Sequence, residues 1–196
     1  MNLYYNTARS SYQTTFNFNG LKKTEKTLQH IKDEILQNPN FCRDEKSITK
    51  NDLLGYLNDG IYFFTENEEG KITGLLHFEV NKPTITIHGL CVPGSSVGIG
   101  SSLIEKVKEF AVSNGFARIK LTCYDNSVVS FYKKKGFTLV SSATVYDSDE
   151  DSDDEGKPKY DMDFRISKGG IKSKKSRKSR KSKKSIKSRK TRKTRK

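Results

Sequence analysis

The sequence predicts a mixed α+β domain, with a central mixed, mostly antiparallel sheet of about six or seven strands flanked by about four helices. Three observations lead to this prediction. The hydrophobic pattern switches repeatedly between the two-residue period of strands and the 3.6-residue period of helices. Both hairpin turns and helical crossovers join the strand-like segments, so antiparallel and parallel neighbours are expected in one sheet. Glycine, proline and asparagine stand at the joints between segments.

Charge divides the chain into two regions. The chain has 196 residues, with 37 Lys or Arg and 23 Asp or Glu. Residues 168–196 contain 17 basic residues and no acidic one, and subtracting them leaves 20 basic and 23 acidic residues before that point. We predict a folded domain over 1–166, with an acidic loop at 147–156, and a disordered basic tail over 167–196. A segment so rich in Lys, Arg and Ser buries too little apolar surface to fold.

The residue pattern in the first third of the chain predicts one strand and two helices. Alternating aromatic residues over 11–18 indicate a strand, and apolar residues at helical spacing over 24–36 indicate a helix. Thr49 and Asp52 have the spacing of a capping box, which predicts that a second helix begins there.

The middle of the chain predicts a β-hairpin followed by a strand and a helix. The apolar runs 61–65 and 71–80 flank an Asn-Glu-Glu-Gly turn. A further strand at 84–92 leads through a segment rich in glycine and serine into an amphipathic helix at about 98–113.

The end of the domain repeats this alternation. A strand at 118–124 precedes a short helix that Asp125 and Asn126 begin, and two more strands follow at 138–146 and 159–166.

The three cysteines, Cys42, Cys91 and Cys123, are far apart and lack metal-ligand spacing, so no metal site is predicted. Cys91 and Cys123 lie in apolar strand-like runs, where a buried free thiol in a reducing compartment is expected. The N-terminus lacks the apolar core of a signal peptide, and no apolar run is long enough for a membrane helix. These features predict a soluble intracellular protein, cytoplasmic or nuclear, and carry no information on its oligomeric state.

The segment between the strand at 84–92 and the next helix reads CVPGSSVGIGSSLIEK, residues 91–106. Backbone N–H groups at a helix N-terminus bind phosphate, and glycine allows the backbone to approach it closely. The segment lacks the third glycine of a dinucleotide fingerprint and the Gly-Lys-Ser/Thr ending of a P-loop, and no kinase motif follows it. A purely structural strand-to-helix turn is the alternative.

Two motifs stand at either end of this part of the domain. The first is the strand, loop and G-x-G-x-x-L sequence from Val92 to Leu103. The second is the N-x-x-x-x-F-Y-x-x-x-G-F sequence from Asn126 to Phe137. Together they resemble the motifs of the GNAT superfamily of acetyl-CoA-dependent N-acetyltransferases. The resemblance covers roughly residues 10–166. It implies a GNAT-like fold, acetyl-CoA as the acetyl donor and an amine as the acceptor.

The resemblance also implies which residues hold acetyl-CoA. The end of the strand would bind the pantetheine arm, and the loop and helix start would bind the pyrophosphate. Asn126 would contact the cofactor or cap its helix, two roles that are compatible. These cofactor-binding residues are Leu90, Cys91, Val92, Ser95, Ser96, Gly98, Ile99, Gly100, Ser101 and Asn126. Ser95 departs from the family, which usually has Gln or Arg there. This departure predicts either weaker cofactor affinity or a grip on the phosphates through serine hydroxyls.

By the same resemblance, Tyr132 occupies the position of the general acid, where a phenol can donate a proton to the departing thiolate. Packing of the short helix is the alternative role. His88 is the leading candidate for the general base, since its strand is similar to the H-x-H-x-L-x-V of arylalkylamine N-acetyltransferases, with Thr86 replacing the first histidine. A histidine can accept a proton near neutral pH. Glu79 is the second candidate, and no role is assigned to the other two histidines.

The basic tail predicts binding to nucleic acid or another polyanion through phosphate contacts. Nuclear targeting and an anionic membrane surface are alternatives. Two functions follow from the whole sequence. The first is transfer of acetyl groups to a primary amine, which is a small amine, a polyamine, or a protein lysine or N-terminus. The second is a catalytically silent GNAT-like domain that acts through its tail. The acidic loop favours a cationic acceptor.

Overall fold

A computed structural model describes residues 2–8, 10–42, 49–93, 98–145 and 157–167 of the chain. Across these ranges it contains eight strands and five helices. The predicted acidic loop and all of the basic tail beyond its first residue lie outside the described residues.

The strands form one sheet. In chain order they are β1 Asn2–Thr7, β2 Lys22–Lys23, β3 Ile61–Glu66, β4 Ile72–Asn81, β5 Thr84–Cys91, β6 Arg118–Cys123, β7 Thr138–Val145 and β8 Lys157–Arg165. Their order across the sheet is β2-β1-β3-β4-β5-β6-β8-β7. Only the β1–β2 and β5–β6 pairs are parallel among these described strands. The predicted mixed, mostly antiparallel sheet is confirmed, and the structure has slightly more strands than expected.

The helices are α1 Ser10–Thr15, α2 Leu28–Gln37, α3 Lys50–Tyr56, α4 Ile99–Ser113 and α5 Asn126–Lys134. The capping box predicted for α3 is confirmed. The Asp52 N–H donates to Thr49 Oγ1 at 3.1 Å, and the Thr49 N–H donates to Asp52 Oδ2 at 3.2 Å. These two bonds satisfy backbone donors that otherwise lack partners at a helix start.

The predicted strand over 11–18 is wrong, because this segment begins with helix α1. Tyr12 and Phe16 are four residues apart, a spacing that suits one face of a helix as well as a strand. Their rings lie 5.7 Å apart and pack against the main apolar cluster. The strand in this region is β1, which precedes the helix and pairs along its full length with β3.

Two apolar clusters cover the two faces of the sheet. On one face, α4 and α5 pack through side chains such as Phe110 and Val129. On the other face, α2 and α3 pack over β3 and β4 through Ile31, Leu53 and Tyr62. The part of this second face formed by β6, β8 and β7 belongs to neither cluster and presents polar side chains, among them the exposed Lys120 and the buried Asp163.

Within the described ranges, no helix has the length and apolar character that crossing a membrane requires. The same residues contain no group of His, Cys, Asp or Glu side chains arranged to hold a metal ion.

Candidate active site

A cleft opens where β5 and β6 separate. Their parallel pairing ends at Ile87 and Leu121, although β5 continues to Cys91 and β6 to Cys123. Backbone N–H and C=O groups that face this gap therefore have no partner on the neighbouring strand. The cleft has a volume of about 420 Å³ and lies between the end of β5, the start of α4 and one side of α5.

The cleft brings together most of the residues predicted to bind the cofactor. The predicted residues that line it are Leu90, Cys91, Val92, Gly98, Gly100 and Ser101. Ile99 lies between the two glycines and packs against the apolar cluster below α4. Asn126 does not line the cleft, whereas its neighbours Ser127 and Val128 do. Ser95 and Ser96 lie outside the described residues.

Helix α4 begins at the cleft with Gly98 as its N-cap. Gly98 has a φ of +90°, and no side chain caps the helix there. A Cβ at this position would meet nothing within 4 Å, so backbone conformation, not lack of space, requires the glycine. The first turn carries no acidic residue. Its unpaired N–H groups and the positive end of the helix dipole therefore make the lip of the cleft suitable for an anion.

Asp125, not Asn126, caps the helix of the second motif. An oxygen of its carboxylate accepts a hydrogen bond from the Ser127 N–H at 2.6 Å, and Asn126 is the first residue of α5. Aspartate is a strong N-cap because its carboxylate also interacts favourably with the helix dipole. The predicted capping role of Asn126 is therefore corrected to Asp125.

Tyr132 lies on the inner side of α5, lines the cleft and is only 7% exposed. Its ring packs edge-on against Phe131 and Phe137, with centroids 5.1 and 5.6 Å away. Burial raises the pKa of Tyr132, and the nearby Cys123 acts in the same direction. Among the described residues the hydroxyl has no hydrogen-bond partner. The side chain therefore combines its packing role with a protonated hydroxyl that remains available to a ligand.

The two candidate bases form a pair on neighbouring strands. His88 of β5 lines the cleft, its side chain is 28% exposed, and its Nε2 lies 3.6 Å from Glu79 Oε2 of β4. The pairing of β4 with β5 shifts register here, which leaves His88 as the extra residue opposite His77 and Phe78. Such a bulge re-aims a side chain, a feature common beside active sites. The structure thus brings Glu79 next to His88 at the edge of the cleft.

His77 and Tyr56 complete this group, and neither was predicted to belong to a site. The His77 ring lies 5.7 Å from that of His88, and Tyr56 contacts both rings, at 5.6 and 5.4 Å. The His77 Nε2 lies 2.6 Å from the Asp59 carbonyl oxygen, which can only accept, so Nε2 carries the proton. Burial lowers the pKa of His77, so the ring is neutral at pH 7. In sequence, only the alternation of His77 with Glu79 indicates a shared face.

Cys42 and Cys91 form a disulfide, and both residues line the cleft. The prediction of a free thiol at Cys91 is therefore wrong. The prediction for Cys123 is confirmed, since it is a buried free thiol, and burial together with Asp125 and Asp161 raises its pKa to about 11. No local pattern indicates the pairing, because 49 residues separate the two cysteines.

Gly74 of β4 is a second feature that sequence reasoning missed. A Cβ there would lie 2.5 Å from Ile99 Cγ2 and 3.2 Å from Val92 Cγ1. The bare backbone therefore allows the start of α4 and the residue after β5 to sit close to the sheet.

Known proteins resemble this chain in family and in fold. A family model described as "Acetyltransferase (GNAT) family" matches residues 28–137, which include both sequence motifs. A search of the curated proteins found no match.

Three solved structures share the fold at low identity. Naa20 of Chaetomium thermophilum, in complex with a bisubstrate analogue, is 18% identical with a TM-score of 0.56, covering 69% of this chain and 83% of that one. Ard1 of Thermoplasma volcanium is 16% identical with a TM-score of 0.51, covering 69% and 93%. A GNAT family acetyltransferase of Elizabethkingia anophelis, with acetyl-CoA bound, is 15% identical with a TM-score of 0.51, covering 60% and 84%.

Proposed function

Since the chain belongs to the acetyltransferase (GNAT) family and is an acyltransferase, we propose that it transfers an acetyl group from acetyl-CoA to a primary amine. One observation carries the proposal. The gap between β5 and β6, the N-terminus of α4 and the hydroxyl of Tyr132 all meet at one cleft. The family match and this cleft favour the enzyme over a silent domain that acts through its tail.

The residues of the cleft suit acetyl-CoA, which supplies an acetyl group activated as a thioester when it is bound. The backbone groups of Leu90, Cys91 and Val92 that face the gap, at the end of β5 and just after it, would hold the pantetheine arm. The N–H groups of the first turn of α4, from Gly98 to Ser101, would hold the pyrophosphate. The apolar side of Phe131 and Val128 would exclude water from the arm.

Two side chains of the protein handle the proton transfers, His88 as the acceptor of one proton and Tyr132 as the donor of another. His88 takes a proton from the acceptor ammonium, and Glu79 at 3.6 Å stabilises the positive charge that the ring gains. Tyr132 holds its proton at the hydroxyl, because burial raises its pKa, and offers it as a hydrogen bond to the leaving group. The raised pKa keeps the hydroxyl protonated, so it can donate this hydrogen bond and then pass its proton to the departing thiolate, while the proton taken by His88 balances the step. Positioning of the two substrates contributes the rest of the rate.

Two glycines with the same backbone strain give a matched test. Gly98 and Gly70 have φ values of +90° and +76°, and a Cβ at either meets nothing within 4 Å. Gly98 lies at the cleft, whereas Gly70 lies in the β3–β4 turn. Acetyl-CoA is titrated into the full chain by calorimetry for wild type, Gly98→Asp and Gly70→Asp. A carboxylate at the anion site should weaken binding at least about tenfold, and the same change at the turn should leave it unaltered.

The transfer step is tested with the same protein by following CoA release in the presence of a panel of primary amines. Replacing His88 with Gln should lower kcat about a hundredfold without changing the Kd for acetyl-CoA. The proposal is wrong if wild type does not bind acetyl-CoA, or if it binds but releases no CoA with any amine.

A further inference from the structure

A second cavity lies on the open face of the sheet, opposite α4 and α5. It has a volume of about 420 Å³ and is formed by β5, β6, β8 and β7. Leu121 and Thr122 line both this cavity and the catalytic cleft. Thr86 lines the cavity, and His88, two residues further along β5, lines the cleft. We call this cavity the open groove, and it adjoins the cleft that His88 lines.

Strand register places a row of polar side chains across the open groove. Thr86 is opposite Lys120, and Lys120 is opposite Asp163. Arg118 lies two residues before Lys120 on the same strand and also lines the groove. Alternate residues of a strand share a face, so Arg118 and Lys120 lie side by side on it, with their Cα atoms about 7 Å apart.

The acidic groups of the open groove already have partners. Asp161 accepts hydrogen bonds from Thr122 and Ser141, each at 2.8 Å, and lies 3.9 Å from Lys159. Asp163 Oδ2 lies 3.6 Å from Arg165 Nε.

Among the basic residues of the groove, Arg165 has this partner in Asp163, and Lys120 acts on Asp161 only from beyond ion-pair distance. In the part of the chain that the structure describes, neither Arg118 nor Lys120 makes an ion pair, and Arg118 donates only to the Thr84 hydroxyl, at 3.1 Å. The uncompensated charge of the groove is therefore positive.

Asp163 adds a second requirement. The residue is only 6% exposed, and its Oδ1 is buried with no hydrogen-bond partner among the described residues. A buried carboxylate oxygen without a donor is costly, so a native structure normally supplies one from water or from a ligand. A carboxylate cannot supply this donor, so the anion of a ligand in the groove would contact Arg118 and Lys120 and leave Asp163 Oδ1 to water.

We propose that the open groove binds the acceptor, and that the acceptor is a primary amine that also carries an anionic group, a carboxylate or a phosphate. Its amine lies at His88 and its anion at Lys120 and Arg118. This inference rests on the proposed function. It selects an anionic amine over the cationic acceptors that the acidic loop suggests, because a polyamine would meet two unpaired positive charges in the groove.

A matched set of linear amines tests the inference without requiring turnover. Aminohexanoate, aminohexyl phosphate, hexylamine and diaminohexane are titrated into the full chain by NMR. Aminohexanoate or aminohexyl phosphate, or both, should bind at least about tenfold more tightly than hexylamine. A single hydrogen bond to a charged group is enough to change the Kd by that amount. Diaminohexane should bind most weakly. The comparison of carboxylate with phosphate identifies the anion.

Two paired substitutions locate the effect. Arg118→Gln/Lys120→Gln should abolish the preference for the anionic amines. Lys22→Gln/Lys23→Gln removes the same charge from β2, at the far edge of the sheet, and should preserve it. The inference is overturned if neither anionic amine binds more tightly than hexylamine, or if the preference survives the groove substitutions.

The two proposals fail in different ways. Binding of an anionic amine without any CoA release from acetyl-CoA would contradict the proposed function and leave the groove assignment standing. Equal rates of CoA release with hexylamine and with the anionic amines would support acetyl transfer and contradict the groove assignment.

Discussion

Cys42 and Cys91 are joined by a disulfide, with their Cα atoms 5.1 Å apart. Cys42 follows α2, and Cys91 is the last residue of β5, so the bond ties the segment after α2 to the strand that borders the cleft. Beyond their packing with the second apolar cluster, the two residues thus place a covalent crosslink in the wall of the candidate active site.

The disulfide should contribute strongly to stability. In the chain-entropy view, closing a loop of 49 residues stabilises the folded state by about 4 kcal/mol. Urea unfolding of wild type should therefore show a lower midpoint after reduction with dithiothreitol. Cys42→Ser/Cys91→Ser should unfold near the reduced wild type, and dithiothreitol should not shift its midpoint. An identical midpoint for oxidised and reduced wild type would show that the crosslink is not formed in solution.

Gly74 should control acetyl-CoA binding from outside the cleft. Alanine at this position would push against Ile99 and Val92 and so displace the start of α4. We expect Gly74→Ala to weaken acetyl-CoA binding by about tenfold, measured by calorimetry. Gly55→Ala is the control. Gly55 lies in α3, and a Cβ added there would meet nothing within 4 Å. That change should stabilise the helix by about 0.5–1 kcal/mol and leave binding alone. Equal affinities for the two variants would contradict the prediction.

Tyr132→Phe separates the two roles of this side chain. The substitution keeps the packed ring and removes only a hydroxyl that has no partner among the described residues. The free energy of unfolding should therefore change by less than about 1 kcal/mol, while kcat falls about a hundredfold and the Kd for acetyl-CoA is unaltered. Steady-state kinetics and urea unfolding measure these quantities. A variant with full kcat would reduce Tyr132 to a packing residue.

His77 should make the free energy of unfolding decrease as the pH is lowered. Burial lowers its pKa below the ordinary 6.5, and the Asp59 carbonyl, His88 and Glu79 are the polar groups that act on it. The unfolded chain therefore takes up this proton at higher pH than the folded chain does. The stabilising contribution is fully present above about pH 6.5 and is lost as the pH falls toward the folded-state pKa.

Thermal melts at about pH 7.5 and 5.5 test this linkage. His77→Gln can still donate to the Asp59 carbonyl but does not titrate. Between the two pH values, wild type should lose more Tm than the variant. Parallel losses would mean that other groups dominate the acid response of the protein.

The sequence by itself determined the features that depend on neighbouring residues. The capping box of Thr49 and Asp52, the hairpin of β3 and β4 and the glycine-led start of α4 follow from turn chemistry and periodicity over a few residues. The two motifs placed Gly98 and Tyr132 in a candidate site, and both line one cleft. The nucleic-acid role of the basic tail stays a prediction from composition. Over 11–18 the spacing of the aromatic residues fits both a strand and a helix, and the predicted strand was wrong.

Only the tertiary structure decided which distant residues meet. The Cys42–Cys91 bond, the contacts of Tyr56 and His77 with His88, and the position of Glu79 all join segments that no local pattern links. The separation of β5 from β6 and the open groove likewise depend on strand order and register across the whole sheet. The physical reason is that backbone hydrogen bonds and periodicity act over a few residues, whereas burial and strand pairing select among arrangements of the entire chain.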